Sequence, residues 1–147
     1  MDNALITLPD EYLQYVSHES DGANLKIHVK STRSEAICPY CGIATNKVHS
    51  RYTRTLQDLP IQGKKVKLIL AGKKYFCLNV GCRYKTFAEE FEFFEPNSKR
   101  TKRLQAEILR VALTQSSVSA SKYLRNSVVD IGKSAICDML KKERENH

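Results

Sequence analysis

Four cysteines in two close pairs are the residues of this sequence best placed to do chemistry. Cys38 and Cys41 form a C-x2-C pair in "CPYC", and 35 residues later Cys77 and Cys82 form a C-x4-C pair in "CLNVGC". Four thiolates held on two tight turns can close a tetrahedron around Zn²⁺, and such a filled site leaves no coordination position for water or substrate. The spacing therefore predicts one structural zinc site.

Other interpretations of the cysteines stay open at this point. A redox C-x-x-C pair normally lies between a strand and a helix, whereas this pair precedes a basic strand region. Unlinked core thiols and an iron–sulfur cluster are further alternatives. Gly42 and Gly81 favour the metal, because the backbone must turn sharply around it. His49 could replace one ligand but lies apart from both pairs, and Cys137 is isolated on a predicted helix.

The charge is the second informative feature, at +8 overall with an isoelectric point of about 9.3. It is unevenly distributed: residues 1–37 carry −3, residues 38–88 carry +9, residues 89–98 carry −4 and residues 99–147 carry +6. Two basic blocks separated by a short acidic stretch are typical of two modules that contact one polyanion. Nucleic acid is the polyanion that we expect.

The predicted DNA contacts fall in three regions. Cations and a tyrosine near the cysteines suit phosphate contact or stacking. Four cations at a predicted helix start are costly beside the positive end of the helix dipole unless an anion relieves them, and phosphate is the expected anion. The third region is the polar side of the last helix, which we expect to enter the major groove. The predicted contacts are His49, Arg51, Tyr52, Arg54, Arg83, Lys85, Lys99, Arg100, Lys102, Arg103, Lys133, Ser134, Cys137 and Lys141.

Strands are predicted before residue 95. The alternation in "ANLKIHVKS" predicts a half-buried strand, and "KKVKLILAG" with "KKYFC" predicts a strand pair that turns at Gly72. "RYTRTLQDLPIQGKK" predicts a strand followed by a loop at Pro60 and Gly63. Near residues 9–16 the sequence predicts a short amphipathic helix.

Three helices are predicted after Lys99, the second capped by Ser116 or Ser117 and the third by Asp130. Their apolar faces are Leu104, Ile108, Val111 and Ala112 in the first helix, and Ile131, Ala135, Ile136, Met139 and Leu140 in the third. A short connection between the second and third helices predicts a helix-turn-helix.

The predicted fold is α+β, a small zinc-stabilised β module followed by a three-helix helix-turn-helix bundle. We expect an N-terminal helix and strand segment at 1–36, the zinc-binding module at 37–95 and the helix-turn-helix at 96–147. The boundary lies in "EEFEFFEPNSKR". Its acids are interpreted as a solvated linker: Glu89, Glu90, Glu92 and Glu95.

The N-terminus lacks the basic start and apolar core of a signal peptide, and no run of 18 apolar residues could span a membrane. We therefore expect a cytoplasmic protein, where thiols stay reduced, and an odd total of five cysteines agrees with this. Neither a membrane nor a small-molecule substrate is an expected partner.

The motifs "ICPYCG", "VHSRYTRTLQDLPIQGKKVKLIL" and "KKYFCLNVGCRYKTFAE" resemble the N-terminal zinc-binding domain of bacterial insertion-sequence transposases of the ISL-three group. The resemblance covers about residues 37–91, and "HSRYTRTLxDLP" is its most specific part. In that family a helix-turn-helix follows the zinc domain.

The resemblance implies recognition of the element's terminal inverted repeats in double-stranded DNA, in the bacterial nucleoid. The family continues into a catalytic part with an RNase H-like fold, which we do not find in 147 residues. We therefore expect no strand transfer by this chain alone. The alternative is a protein-interaction module or stand-alone regulator that pairs with a full-length transposase or with itself.

Overall fold

The computed structural model describes residues 7–145, in which strands precede helices along the chain. The predicted α+β class is confirmed. The strands are β1 (Leu13–Asp21), β2 (Asn24–Ser31), β3 (Ala36–Ile37), β4 (Ala44–Thr45), β5 (Val48–Ile61), β6 (Lys64–Phe76) and β7 (Thr86–Ala88). The helices are α1 (Lys102–Ala112), α2 (Ser117–Ser127) and α3 (Lys133–Glu145).

One five-stranded sheet joins the N-terminal strands to the long β5–β6 hairpin. Its order is β1-β2-β6-β5, with β7 paired to β6, and only β2 and β6 run parallel among its pairs in the described residues. β3 and β4 form a separate two-stranded sheet. The large sheet therefore joins residues 13–31 to residues 48–88, across the division predicted at residue 36, and residues 1–6 lie outside the described part.

The core of this sheet is formed by strands in which buried apolar residues alternate with more exposed ones. Buried apolar residues alternate with more exposed ones from Leu25 to Val29 in β2 and from Val66 to Leu70 in β6, and the parallel register brings the buried residues side by side. Three phenylalanines from the segment after β7 join the same cluster. The buried residues are Leu13, Leu25, Ile27, Val29, Leu56, Val66, Leu68, Leu70, Phe91, Phe93 and Phe94.

The acidic stretch after β7 is not simply a solvated linker. Glu89 is 4% exposed, and its Oε2 accepts a hydrogen bond from Ser31 Oγ at 2.5 Å and lies 3.9 Å from Arg33 Nη1. A buried carboxylate requires such partners, because it has lost its hydration. The linker interpretation is therefore wrong for Glu89, whereas Glu90, Glu92 and Glu95 are exposed.

The helix predicted near residues 9–16 is wrong. From Leu13 onward the chain is strand β1, which pairs antiparallel with β2 from Leu13 opposite Ser31 to Asp21 opposite Asn24. Pairing with β2 satisfies the backbone groups on one edge of β1 in the sheet ladder, and Leu13 is buried. Tertiary pairing thus overrides the local pattern.

The strand pair predicted to turn at Gly72 is a single strand, β6. Gly72 lies opposite Tyr52 of β5, and a Cβ at this position would stand 2.5 Å from Tyr52 Oη. Glycine is needed here because the tyrosine ring crosses its backbone closely. The hairpin turn that joins β5 to β6 lies at Gln62 and Gly63. Their φ angles are 50° and 75°, as a two-residue hairpin turn demands.

The three helices share one apolar core, and the two predicted apolar faces are confirmed. Ser116 caps α2, its Oγ accepting from Ser119 N at 3.1 Å. Helix α3 begins at Lys133, and the Asp130 carboxylate, predicted as its cap, instead accepts a hydrogen bond from Lys65 Nζ at 2.7 Å. Among the described residues, none of the helices is long and apolar enough to cross a membrane.

Asp58 of β5 links the sheet to α1. This carboxylate is 2% exposed and accepts from Thr101 Oγ1 at 2.7 Å, from Arg103 Nε at 2.8 Å and from Arg103 Nη2 at 2.5 Å. Thr101 is also the N-cap of α1, and its backbone N–H donates to Gln57 O. For Arg103, at the basic start of α1, the compensating anion is therefore the Asp58 carboxylate of the protein itself.

We expect Asp58→Ala to lower the free energy of unfolding by roughly 2–4 kcal/mol, because a buried acceptor of charge-assisted hydrogen bonds is removed while its donors remain. Urea denaturation of the zinc-loaded protein measures this change. The matched control is Glu107→Ala, which breaks an exposed ion pair with Arg110 within α1 and should change the free energy of unfolding little. Equal destabilisation of the two variants would contradict the role given to Asp58.

Candidate metal centre

The first cysteine pair lies on a tight turn between β3 and β4. Gly42 N–H donates to Cys38 O at 2.8 Å, and Cys38 N–H donates to Ile43 O at 3.0 Å. Gly42 has a φ of 77°, in the left-handed region that favours glycine. The turn presents Cys38 and Cys41 on its inner side, and the expectation for Gly42 is confirmed.

The second pair lies on a turn between β6 and β7 that the side chain of Asn79 shapes. Asn79 Oδ1 accepts from Gly81 N at 3.1 Å, and Asn79 O accepts from Cys82 N at 3.1 Å. Gly81 has no positive φ, so the expected sharp turn depends on Asn79 instead. Asn79 is not among the predicted site residues, although an asparagine two residues before a glycine is a signal for such a turn.

The two turns bring four sulfur atoms together. All four Sγ atoms lie within 4.8 Å of one another, with Cys38 and Cys82 4.0 Å apart and Cys41 and Cys77 3.6 Å apart. A tetrahedral ZnS₄ site with Zn–S bonds of about 2.3 Å has sulfur separations of about 3.8 Å. The donor set and spacing therefore fit Zn²⁺, and the alternative of unlinked core thiols is wrong.

The electrostatics of the thiols also suit a cation. A hydrogen bond with the Asn79 side chain, helped by the backbone at Ile43, lowers the pKa of Cys41 to about 7. At Cys77 a backbone hydrogen bond with Asn79 lowers the pKa, but desolvation and the neighbouring thiols outweigh it and raise the pKa to about 12. Without a cation the cluster resists further negative charge, whereas a divalent metal ionises coordinating thiols.

Two cysteine turns that meet in this way define a zinc ribbon, with one site suited to structural zinc. Residues 34–82, about a third of the chain, match the family model described as the zinc-finger of transposase IS204/IS1001/IS1096/IS1165. The match includes all four cysteines, so the resemblance drawn from the sequence is confirmed for this segment. Searches among curated proteins and among solved structures give no significant match.

Several predicted DNA contacts are exposed and accessible. His49 lies outside the sulfur cluster, with its ring centroid 4.8 Å from that of Phe76 in a T-shaped contact and its Nδ1 2.9 Å from Ser50 Oγ. In addition to His49, the exposed members of the predicted set are Arg51, Arg83, Lys85, Lys99, Lys102, Lys133, Ser134, Cys137 and Lys141.

Two of the predicted contacts in β5 are engaged within the protein. Tyr52 is half-buried and donates to Glu89 O at 3.4 Å, and burial, then the charge of Glu89, raises its pKa. Arg54 lies over the Phe94 ring at 4.8 Å and donates to Ser98 O at 2.5 Å. These side chains hold the segment after β7 against the sheet.

The cations at the start of α1 also comprise some side chains that are engaged within the protein and others that are exposed. Arg103 is bound to Asp58, and Arg100 is half-buried, which lowers its pKa, beside a backbone bridge to Gln57. Lys102 Nζ lies 3.5 Å from Glu95 Oε1, in an exposed pair. Lys99 and Lys102 are thus the exposed cations of this group, whereas Arg100 and Arg103 are partly buried.

We expect the purified protein to hold about one equivalent of zinc and Cys77→Ser to lose it. Removal of the metal should expose amides of residues 36–47 and 77–85 to exchange while the large sheet stays protected, because the ribbon has its own small apolar cluster. Elemental analysis and hydrogen exchange measure both effects. Lowering the pH should weaken zinc binding, since coordination requires thiolates.

The matched control is Cys137→Ser, which changes a cysteine outside the sulfur cluster and should keep the metal. A folded ribbon without metal, or equal zinc depletion in both variants, would contradict the assignment.

Proposed function

We propose that this chain is the zinc-dependent DNA-binding portion of a transposase, and that it recognises the terminal inverted repeats of an insertion sequence. The single observation that carries the proposal is the match of residues 34–82 to a transposase zinc-finger family, on a segment whose four cysteines meet. The charge of the segment 38–88 supports the choice of DNA, because ten basic residues accompany one acid there, and that acid is buried.

The second DNA-binding element in this proposal is a helix-turn-helix formed by α2 and α3. The connection at residues 128–132 is short and hydrogen-bonded to α2: Ile131 O accepts from Ser121 Oγ and from Arg125 Nε, both at 2.9 Å. Val128 and Val129 are buried beside it. These contacts fix the connection between α2 and α3, which supports the proposed helix-turn-helix.

The exposed side of α3 carries the predicted base and phosphate contacts. Lys133, Cys137 and Lys141 follow one another at intervals of four residues and are exposed, as is Ser134. Lysines along one helix face can contact phosphates on both sides of a major groove, while the smaller side chains between them reach base edges.

The proposal predicts tight, salt-sensitive binding to duplexes taken from the ends of the genomic element around this reading frame. Between about 50 and about 200 mM salt the affinity should fall steeply, through release of counterions. The double variant Lys133→Ala/Lys141→Ala should weaken binding and reduce the slope of log affinity against log salt by about 2, since two phosphates are then no longer neutralised by the protein. Fluorescence anisotropy measures both quantities.

The matched control is Lys26→Ala/Lys30→Ala, which removes the same charge from exposed positions of β2. It should leave affinity nearly unchanged. A scrambled duplex of the same composition tests recognition of the repeat. Equal binding to both duplexes would contradict repeat recognition, and absence of duplex binding at low salt would favour the protein-interaction alternative.

We further propose that the chain binds these ends without cutting or joining them by itself. Of the four clustered acids, Glu89 is held by Ser31 and Arg33 inside the protein, which suits a structural and not a metal-activating role. Incubation of the zinc-loaded protein with labelled element ends and Mg²⁺ should leave the DNA intact. Cleavage that Glu92→Gln abolishes would contradict this part of the proposal.

A further inference from the structure

The zinc ribbon displays a stacked pair of tyrosines on its surface. The rings of Tyr40 and Tyr84 have centroids 3.6 Å apart and planes within 16° of parallel. Their residues are nonetheless 56% and 48% exposed. Aromatic rings that pack only to stabilise a fold are usually buried more completely, so a pair with so much open surface indicates a binding role.

The two cysteine turns hold this pair in place. Tyr40 directly precedes Cys41 on the first turn, and Tyr84 follows Cys82 by two residues on the second. Because the four sulfurs meet at one centre, the same closure that forms the metal site sets the two rings against each other. The pair is therefore a preorganised surface, built before any ligand arrives.

The charges around the pair indicate the chemistry of the ligand. Arg83 and Lys85 flank Tyr84 in sequence, and both are exposed. On the other side, Tyr40 lines a groove of about 760 Å³ whose charges are mixed, with the exposed acids Glu90, Glu92 and Glu95 beside Arg54, Lys74 and Lys102. Phosphate is attracted to the first side, where both neighbouring charges are positive, more than to the second, where acids offset the cations, so Tyr84 is the ring that we expect an anionic ligand to reach.

Resting on the proposed function, we propose that the Tyr40–Tyr84 pair is a stacking platform for an unpaired base of DNA, with Tyr84 contacting the base and Tyr40 positioning Tyr84. A flat aromatic face beside two cations matches a nucleotide, whose base stacks while its phosphate is neutralised. In an intact duplex the base faces are already stacked on their neighbours. The ribbon should therefore prefer DNA with a single-stranded tail.

The test uses the full zinc-loaded chain with a blunt duplex and the same duplex carrying a short unpaired tail. Wild-type protein should bind the tailed duplex more tightly. Tyr84→Ala should remove about 5- to 150-fold of that affinity, as expected for one base–aromatic stack, and should leave blunt-duplex binding unchanged. Tyr84→Phe should retain the preference, since the ring and not the hydroxyl makes the contact.

A spectroscopic readout separates stacking from general weakening. The chain contains no tryptophan, so Tyr84→Trp introduces a single reporter at the platform. Its fluorescence should be quenched by the tailed duplex and much less by the blunt one. Tyr12→Ala, which removes an exposed tyrosine outside the ribbon, is the matched control and should keep the tail preference. Every variant is compared at one bound zinc, which shows that the ribbon is folded.

Equal wild-type affinity for tailed and blunt duplexes, or an unchanged tail preference in Tyr84→Ala, would overturn the platform while leaving the proposed function standing. Failure to bind either DNA would overturn both. Conversion of a dimer into a monomer by Tyr84→Ala, with DNA binding unaffected, would assign the pair to self-association and overturn the proposal.

Discussion

The antiparallel pairing of β5 with β6 is the constraint on which both ends of the molecule depend. At one end, Val48 lies opposite Tyr75, just after the first cysteine turn and just before Cys77, so the ladder sets how far apart the two cysteine pairs stand. At the other end Asp58 and Leu59 of β5 hold the helices through a hydrogen-bonded carboxylate and an apolar contact. A single hydrogen-bonded hairpin therefore positions the metal centre and the helical unit.

The features that the sequence predicted are those that depend on local spacing. The ligands of small structural zinc sites typically occur in close pairs, so Cys38, Cys41, Cys77 and Cys82 could be identified without knowing how the chain folds between them. The helical apolar faces followed from periodicity for a similar reason, since residues three or four apart share a face whatever lies opposite.

The features that escaped prediction depend on distant partners. Glu89 sits among other acids in sequence, but Ser31, 58 residues away, determines that it is buried. Gly72 looks like a turn until Tyr52 is found crossing it from the neighbouring strand. The basic start of α1 suggested phosphate, yet Asp58, 45 residues before Arg103, already binds that arginine. The net charge of a segment therefore overstates the number of cations that are available to a ligand, because some of them are already bound within the protein.

The geometry of the metal centre also depends on the alignment of β5 with β6. Sliding β5 against β6 by one residue would move Cys77 by about 3.3 Å relative to the first turn and would reverse the facing of side chains. That displacement is nearly the whole separation between paired sulfurs, 3.6 and 4.0 Å. A slipped hairpin could not close the tetrahedron, so only the correctly aligned chain gains the free energy of coordination. Zinc coordination therefore stabilises the correctly aligned hairpin selectively over a slipped one.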